Sequence, residues 1–276
     1  MTEWLKTQDA YTINRRSVHV SKFRPVIVRG IRHQYQADLM DMQGLSEFNS
    51  DVRYLLTVID CFTRRATAVP LLSKRGTDVR KALQLAFKKM GGKPTKLQTD
   101  QGTEFYNVHV QKFLRWQKVA HFSTFQDVKA QMVERFNRTL REKLKKYFTA
   151  SKNFRYIDVL DDLVLGYNRS PHSAFHHKFS PMQINPANES QIRELLYGKY
   201  LARTRPDFKF QIGNVVRITK YRGLHHGPHD TSFTRRSFVV IDCLPTNPPM
   251  YRIAERNGVL VEGPFYDDEL QKIRLN

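Results

Sequence analysis

Two neighbouring segments decide the fold: QYQADLMDM at residues 34–42 and YLLTVIDCF at residues 54–62. The first alternates between apolar and polar residues well enough to predict a strand. The second is a nearly continuous apolar run, which is typical of a strand buried on both faces. A third predicted strand, residues 66–72, follows the short basic turn TRR. Three strands in quick succession predict an antiparallel meander.

Helices alternate with shorter strands beyond this meander. An apolar stripe at helical spacing predicts a helix over residues 77–90, with Thr77 as its N-cap. The pattern then predicts a strand, a helix, a strand and two helices, at residues 96–100, 107–117, 119–125, 129–150 and 154–167. Strands first, and then strands and helices in alternation, predict an α/β domain with a mixed five-stranded sheet flanked by helices.

The rest of the chain divides into an arm, a linker and a second small domain. Residues 1–30 are basic and poorly periodic, so we expect an arm before a core domain at residues 31–186. Residues 187–207 are polar and charged, which predicts a helical linker. Residues 208–276 contain short strand-like runs separated by Gly and Pro turns, which predict a small all-β barrel.

The chain carries a large positive charge. Its 46 Lys and Arg residues outnumber its 26 Asp and Glu residues, giving a formal net charge of +20. We therefore expect a polyanion as partner, because each cation placed at a phosphate releases condensed counterions. No run of about 18 apolar residues is present, so the sequence predicts no membrane-spanning helix. Its first residues lack the apolar stretch of a secretory signal, which favours an intracellular location.

Cysteine and histidine usage argues against a zinc site. Cys61 and Cys243 lie far apart in apolar runs, and the chain has no C-x-x-C pair for a Cys-rich zinc site. We expect two buried, reduced thiols. His225, His226 and His229 have metal-ligand spacing, but a Gly/Pro loop without Cys partners favours exposed side chains.

Two aspartates occupy strand positions that suit an active site. Asp38 lies inside the first strand, and Asp100 ends a later one, where Gly102 lets the backbone turn away. Strand-end carboxylates converge on the crevice beyond a sheet, and two anions brought together there repel unless a cation joins them. Hard oxygen ligands with few His or Cys nearby select Mg²⁺ or Mn²⁺.

Ordinary explanations stay open for each acid taken alone. A single Asp at such a place is most often a strand-edge or turn residue, and this interpretation stands for Asp41 and Asp60. Glu104, in the segment QGTEF, is a rival metal ligand, and Asp127 is a weaker one. His172, in YNRSPH, is interpreted as a structural cap or hydrogen-bonding residue.

The helix at residues 129–150 places a lone acid beside an apolar stripe. At about 100° per residue, the sector facing the sheet contains Val133, Phe136, Leu140, Leu144 and Tyr147. A neighbouring sector contains Glu134, Asn137, Arg138, Arg141 and Lys145. A solvated face explains this row, since Glu134 and Arg138 have the favourable i,i+4 order for an ion pair. The functional alternative is a metal-binding carboxylate followed by residues that track a nucleic-acid backbone.

Five motifs occur in a significant order: QADLMDM around Asp38, LLTVIDCFTRRATAVPL, LQTDQGTEF around Asp100, KAQMVERFNRTLREKL around Glu134, and YNRSPHSAF with SPMQ within 167–183. Together they resemble the retroviral-integrase superfamily, whose core has a ribonuclease-H-like fold. The resemblance covers about residues 31–186 and is closest to the integrases of Maverick/Polinton-type transposons. The 33 residues between Asp100 and Glu134 are close to the family's spacing.

The resemblance implies a metal-dependent polynucleotidyl transferase. Its expected catalytic acids and metal ligands are Asp38, Asp100 and Glu134, holding two Mg²⁺ or Mn²⁺ ions. Its expected DNA contacts are Asn137, Arg138, Arg141 and Lys145. Water would trim a DNA 3′ end, and the exposed 3′-hydroxyl would then attack target DNA without a covalent protein–DNA intermediate.

The resemblance extends in part to the small β domain. IGNVVRITK and EGPFYDDELQKI are similar to the family's C-terminal SH3-like or chromodomain-like barrel, although Arg235 and Arg236 stand where acidic residues are expected. The implied partners are double-stranded transposon-end and target DNA, further copies of the chain, and chromatin contacted through the barrel. A nuclear location follows from that substrate. Retroviral relatives also carry an N-terminal zinc domain, which this chain lacks the cysteines to build.

Two other functions stay open on the sequence alone. One is a catalytically inactive protein that binds DNA or tethers chromatin. The other is a ribonuclease-H-like nuclease without strand transfer. Retention of all three acids speaks against simple loss of activity.

Overall fold

The computed structural model describes residues 4, 7–14, 26–123, 130–201, 207–220 and 231–273. The chain divides into two units. The core unit is Val26–Gly198, and the terminal unit combines Met1–Pro25 with Lys199–Asn276. The predicted domain boundaries after residues 30, 186 and 207 stay predictions.

The core unit is built on a mixed five-stranded sheet with the strand order β3-β2-β1-β4-β5. The first three strands pair antiparallel, which confirms the predicted meander. β4 pairs parallel to β1, and β5 pairs parallel to β4. The strands are β1 (Gln34–Asp41), β2 (Tyr54–Asp60), β3 (Ala66–Leu71), β4 (Lys96–Thr99) and β5 (Ala120–Ser123).

The helices lie close to their predicted positions, with one exception. In chain order they are α1 (Asp9–Asn14), α2 (Gly76–Lys89), α3 (Val108–Trp116), α4 (Gln131–Ser151), α5 (Leu160–Arg169) and α6 (Glu189–Leu201). The predicted N-cap Thr77 lies inside α2, whose N-cap is Arg75. The prediction that a helix begins at residue 154 is wrong. Residues before Leu160 form a turn because the backbone amides of Tyr156 and Ile157 donate to Asn49 Oδ1.

Each face of the sheet is covered by a different pair of helices. Alternation along β1 sends Tyr35 and Ala37 into a core shared with α2 and α3. Met40 faces the opposite way, into a core shared with α4 and α5. The predicted α/β architecture is therefore confirmed, and Asp38 belongs to the face that α4 covers.

The terminal unit contains a second, fully antiparallel sheet, which agrees with the predicted small all-β domain. Its strand order is β10-β6-β7-β8-β9. The strands are β6 (Val215–Ile218), β7 (Phe238–Leu244), β8 (Met250–Glu255), β9 (Phe265–Tyr266) and β10 (Leu270–Lys272). Its core is mainly aromatic and aliphatic, with Phe210, Val216, Phe238, Val240, Tyr251, Ile253 and Leu270 buried.

Part of the predicted N-terminal arm is a helix that contacts the terminal unit. The carbonyl oxygen of Ile13 in α1 accepts hydrogen bonds from the backbone amides of Ser232 and Phe233. Asp9 of the same helix pairs with the buried guanidinium of Arg217 on β6. Where the structure describes the first 30 residues, α1 therefore contributes to the terminal unit.

Two further predictions concern membrane-spanning helices and the state of the two cysteines. Within the described ranges, no helix combines the length and the apolar character needed to cross a bilayer. Both cysteines are free thiols. Cys61 is buried as predicted, but Cys243 is partly exposed, because it lies near the end of β7.

Candidate active site

The strand register places two of the predicted acids at corresponding positions along the neighbouring strands β1 and β4. Gln36 on β1 pairs with Gln98 on β4 in parallel register. Asp38 lies two residues further along β1, on the face that α4 covers, and Asp100 lies two residues after Gln98. Asp38 is half-buried, whereas Asp100 is exposed just beyond the last residue of β4.

The third acid comes from the first turn of α4. Glu134 is exposed there, while the neighbouring Val133 and Phe136 are fully buried against the sheet. The backbone amide of Val133 donates to Gln36 Oε1. This bond ties the residue before Glu134 to the strand that carries Asp38.

The charges of the three carboxylates interact. Burial is the largest cause that raises the pKa of Asp38, and repulsion from Asp100 and Glu134 raises it further. The Leu39 amide, which donates to Asp38 Oδ1 at 2.8 Å, and the charge of Arg141 act in the opposite direction. The charges of Asp100 and Glu134 therefore both act on the Asp38 carboxyl.

The donor set has the chemistry of a Mg²⁺ or Mn²⁺ site, although its side chains are not arranged around an ion. Among the described residues, no three His, Cys, Asp or Glu side chains stand in a metal-holding arrangement. All three donors are carboxylates, the preferred ligands of hard cations. Asp100 and Glu134 are exposed, although Asp100 Oδ1 accepts a hydrogen bond from the Gly102 amide at 3.2 Å, and a cation bound between the acids would offset the repulsion at Asp38.

Asn137 contacts Asp38 instead of facing outward. It is 3% exposed, and its Nδ2 donates to Asp38 Oδ2 at 2.7 Å. Its Oδ1 has no hydrogen-bond partner within the described part of the chain. This burial contradicts the predicted contact of Asn137 with a DNA phosphate, because its sector borders the apolar stripe and lies against the sheet. The residue is placed to orient the Asp38 carboxylate.

The basic part of the predicted row is accessible. The three cations Arg138, Arg141 and Lys145 follow Glu134 along α4, and all three are exposed. Arg141 is near enough to Asp38 for its charge to lower the pKa of that carboxyl. Their contact with DNA phosphates stays a prediction.

A series of hydrogen-bonded side chains leads to the backbone carbonyl group of Asp100. No sequence pattern had indicated this series. Gln111 Nε2 donates to His121 Nδ1 at 2.7 Å, which leaves Nε2 as the protonated nitrogen. That nitrogen donates to Thr99 Oγ1 at 2.9 Å, and Thr99 Oγ1 donates to the carbonyl oxygen of Asp100 at 2.7 Å. Burial lowers the pKa of His121, in keeping with this neutral ring.

Two further acids of the core unit, Asp60 and Glu104, were considered from the sequence. Asp60 accepts from the backbone amides of Arg32 and Phe62, the turn role expected of it. The carboxyl group of Glu104 lies so close over Gly102 that a Cβ there would be 2.6 Å from Glu104 Cδ. This carboxyl group is the movable end of a side chain, so the contact does not require glycine at residue 102, and Glu104 as a rival metal ligand stays a prediction.

Of the histidines considered from the sequence, the structure describes His172. His172 Nδ1 accepts from the Ala174 amide at 3.0 Å, which confirms its predicted role as a cap. The predicted exposed cluster, His225, His226 and His229, lies outside the described residues. The weaker rival ligand Asp127 also lies outside them.

Comparison with known proteins identifies the class. Residues 32–124 match the integrase core domain family, a range that includes Asp38 and Asp100 and ends before Glu134. An uncharacterized transposon-derived protein of Caenorhabditis elegans is 35% identical over 198 residues, which cover 72% of this chain and 66% of that protein. The chain is therefore similar to the integrase core domain family over residues 32–124 and to a transposon-derived protein of whose length it spans 66%.

Among the similar solved structures, the first described here agrees with the fold. A chain of the simian T-cell lymphotropic virus intasome in complex with PP2A regulatory subunit B56 gamma is 15% identical, with a TM-score of 0.62 over 98% of this chain and 88% of that chain. The HTLV-2 integrase catalytic core domain in complex with magnesium is 19% identical, with a TM-score of 0.48 over 57% of this chain and 97% of that chain. The predicted special closeness to Maverick/Polinton integrases stays a prediction.

Proposed function

We propose that this chain is a transposon-derived DNA integrase that carries out 3′-end processing and strand transfer through Asp38, Asp100 and Glu134. The observation that carries the proposal is the convergence of these acids from β1, β4 and α4. Burial raises the pKa of Asp38, and repulsion from Asp100 and Glu134 raises it further. The match to the integrase core domain family supplies the reaction class.

The proposed roles follow from position. Asp38, Asp100 and Glu134 would hold two Mg²⁺ or Mn²⁺ ions, which, when bound, supply Lewis-acid activation of the attacking and leaving oxygens of a phosphodiester. Asn137 keeps one Asp38 oxygen oriented through its 2.7 Å hydrogen bond. The exposed cations of α4 attract the DNA backbone.

Partners and location are part of the same proposal. A net charge of +20 suits double-stranded DNA, and the transposon origin of the related protein favours transposon ends as donor. We further propose that the chain acts as a homo-multimer in the nucleus, where target DNA is found. Contact with chromatin through the antiparallel sheet of the terminal unit completes the proposal.

A joining assay tests the proposed reaction. The purified chain is incubated with Mg²⁺ or Mn²⁺, a labelled duplex carrying the transposon ends, and a plasmid target. We expect labelled strands joined to the plasmid. Joining should disappear in Asp100→Asn and Glu134→Gln, which keep side-chain size but weaken metal binding. Asp41→Asn, an exposed acid on the same strand as Asp38, should join DNA like the unchanged chain.

Each alternative has its own result in this assay. Metal-dependent cleavage without joined product would identify a nuclease and contradict the integrase proposal. DNA binding without cleavage or joining would instead support a tethering protein. Joining that persists in both Asp100→Asn and Glu134→Gln would remove these acids from the mechanism.

A further inference from the structure

The first turn of α4 is capped by a side chain from another element. Ala130, its own N-cap residue, has no side-chain acceptor. Gln36 of β1 takes this place, because its Oε1 accepts hydrogen bonds from the backbone amides of Met132 at 3.0 Å and Val133 at 3.2 Å. These are helix-terminal N–H groups of the kind that a Ser or Asp N-cap normally satisfies.

Two further glutamines fix the orientation of the Gln36 amide group. Gln36 Nε2 donates to Gln98 Oε1 at 3.0 Å, and Gln34 Nε2 donates to the same oxygen at 3.0 Å. Gln36 is 1% exposed and Gln98 is 3% exposed, so water does not compete for these bonds. The side-chain nitrogen of Gln36 therefore bonds to β4, and its side-chain oxygen bonds to α4.

Gln36 stands between two of the three acids. Asp38 lies two residues further along β1 on the same face of the sheet, and Glu134 directly follows the capped residue Val133. One side chain therefore links the backbone beside Asp38 to the backbone beside Glu134. Buried Val133 and Phe136 anchor α4 laterally, and Gln36 holds the backbone of its first turn through two amides.

We propose that Gln36 is a positioning residue, which caps α4 and so fixes the backbone that carries Glu134 relative to the strand that carries Asp38, from which both side chains can turn to bind metal. The metal part of this inference rests on the proposed function, whereas the cap does not. Residues that orient metal ligands without touching the ion typically change metal affinity by about 10–100-fold.

The test compares three variants of the full chain. Gln36→Met keeps an unbranched side chain of similar length but removes the acceptor. Gln36→Glu keeps an oxygen acceptor for the helix amides and serves as the conservative variant. Gln131→Met makes the same chemical change at an exposed residue that begins the same helix. Hydrogen–deuterium exchange of the Met132 and Val133 amides reports on the cap, and Mn²⁺ titration reports on the acids.

We expect both amides to exchange at least about tenfold faster in Gln36→Met, with near-normal exchange in Gln36→Glu and Gln131→Met. The apparent Mn²⁺ dissociation constant should rise by about tenfold or more in Gln36→Met alone. Unchanged exchange in Gln36→Met would overturn the cap. Faster exchange with unchanged Mn²⁺ affinity would overturn the positioning role.

Failure of the proposed function can be distinguished from failure of the positioning role. Both readouts are obtained without DNA and without activity. If the unchanged chain binds Mn²⁺ but joins no DNA, the integrase proposal fails while the positioning of Glu134 is still decided by the comparison. If the unchanged chain binds no Mn²⁺, the positioning inference is overturned together with the metal site.

Discussion

The surroundings of Asp38 oppose the charge of its carboxylate. Burial and the carboxylates of Asp100 and Glu134 raise its pKa, so the folded chain binds this proton more tightly than the unfolded chain does. The resulting loss of stability is absent below the ordinary carboxyl pKa of about 3.9. It grows as the pH rises from that value, and it is complete once the pH is above the raised pKa of the folded state.

Removing this charge should stabilise the protein. We predict that Asp38→Asn raises the melting temperature at pH 7, and that the gain shrinks as the pH falls toward 4. Mn²⁺ should raise the melting temperature of the unchanged chain but not of Asp38→Asn. Asp41→Asn is the matched control of opposite sign, because hydrogen bonds from Gln43 lower the pKa of Asp41. A lower melting temperature for Asp38→Asn at pH 7 would contradict this account.

Asn137 should affect catalysis without affecting DNA affinity. It is buried and donates to Asp38, so we predict that Asn137→Ala lowers the rate of strand joining by about 10–100-fold, the range typical for residues that orient metal ligands. Its dissociation constant for DNA should change by less than about twofold. Arg138→Ala, an exposed change one residue away, should weaken DNA binding instead. Rate and affinity are measured separately, by single-turnover joining and by fluorescence anisotropy.

Some site residues could be predicted from sequence and others could not. Asp38 and Asp100 were recognisable from their strand positions, and Glu134 from its helical sector. Gln36 and His121 were missed because their partners lie far away in the chain: Gln36 contacts residues 96 and 97 positions away. Such pairing depends on strand register, which a local pattern does not define.

At the scale of elements, the strands of the core followed their apolar patterns closely, whereas α5 begins later than predicted. Asn49 explains the difference. Its Oδ1 accepts from Tyr156 and Ile157, and its Nδ2 donates to the carbonyl oxygens of Leu45 and Phe154. A fully buried side chain from a distant turn therefore overrides the local helical pattern.

Loss of this contact should destabilise the core unit. Asn49→Ala removes the partners of four backbone groups, so we predict that the free energy of unfolding falls by about 3 kcal/mol. Asn153→Ala, the same change at an exposed residue of the same connection, should cost less than about 1 kcal/mol. Urea unfolding followed by circular dichroism measures both. Equal losses in the two variants would show that Asn49 does not hold this turn.

At the scale of the whole molecule, the excess of positive charge determines the partner class. Composition alone predicted a polyanion, but it could not say which surface binds it. The structure places exposed cations on both sides of the core sheet, along α4 on one side and along α2 and α3 on the other. The α4 row begins one helical turn after Glu134.

Salt dependence should distinguish these two surfaces. Replacing Arg138, Arg141 and Lys145 by Ala should reduce the slope of log affinity against log salt by up to about 2.7, because about 0.9 counterion is released per phosphate contact. The control replaces three exposed cations of the opposite face, Lys81, Lys88 and Lys112, by Ala. We expect the control to change the slope by less than about 1. A larger effect of the control would place DNA on the wrong side of the sheet for the proposed site.

Crystals grown with Mn²⁺ and examined by anomalous scattering would test the central claim most directly, because the method locates the ions without relying on activity. We predict two Mn²⁺ peaks about 3.5–4 Å apart, bound by carboxylate oxygens of Asp38, Asp100 and Glu134. A structure with Mn²⁺ at saturating concentration and no peak at Asp38 and Asp100, or with Glu134 turned away from the ions, would contradict the proposed active site.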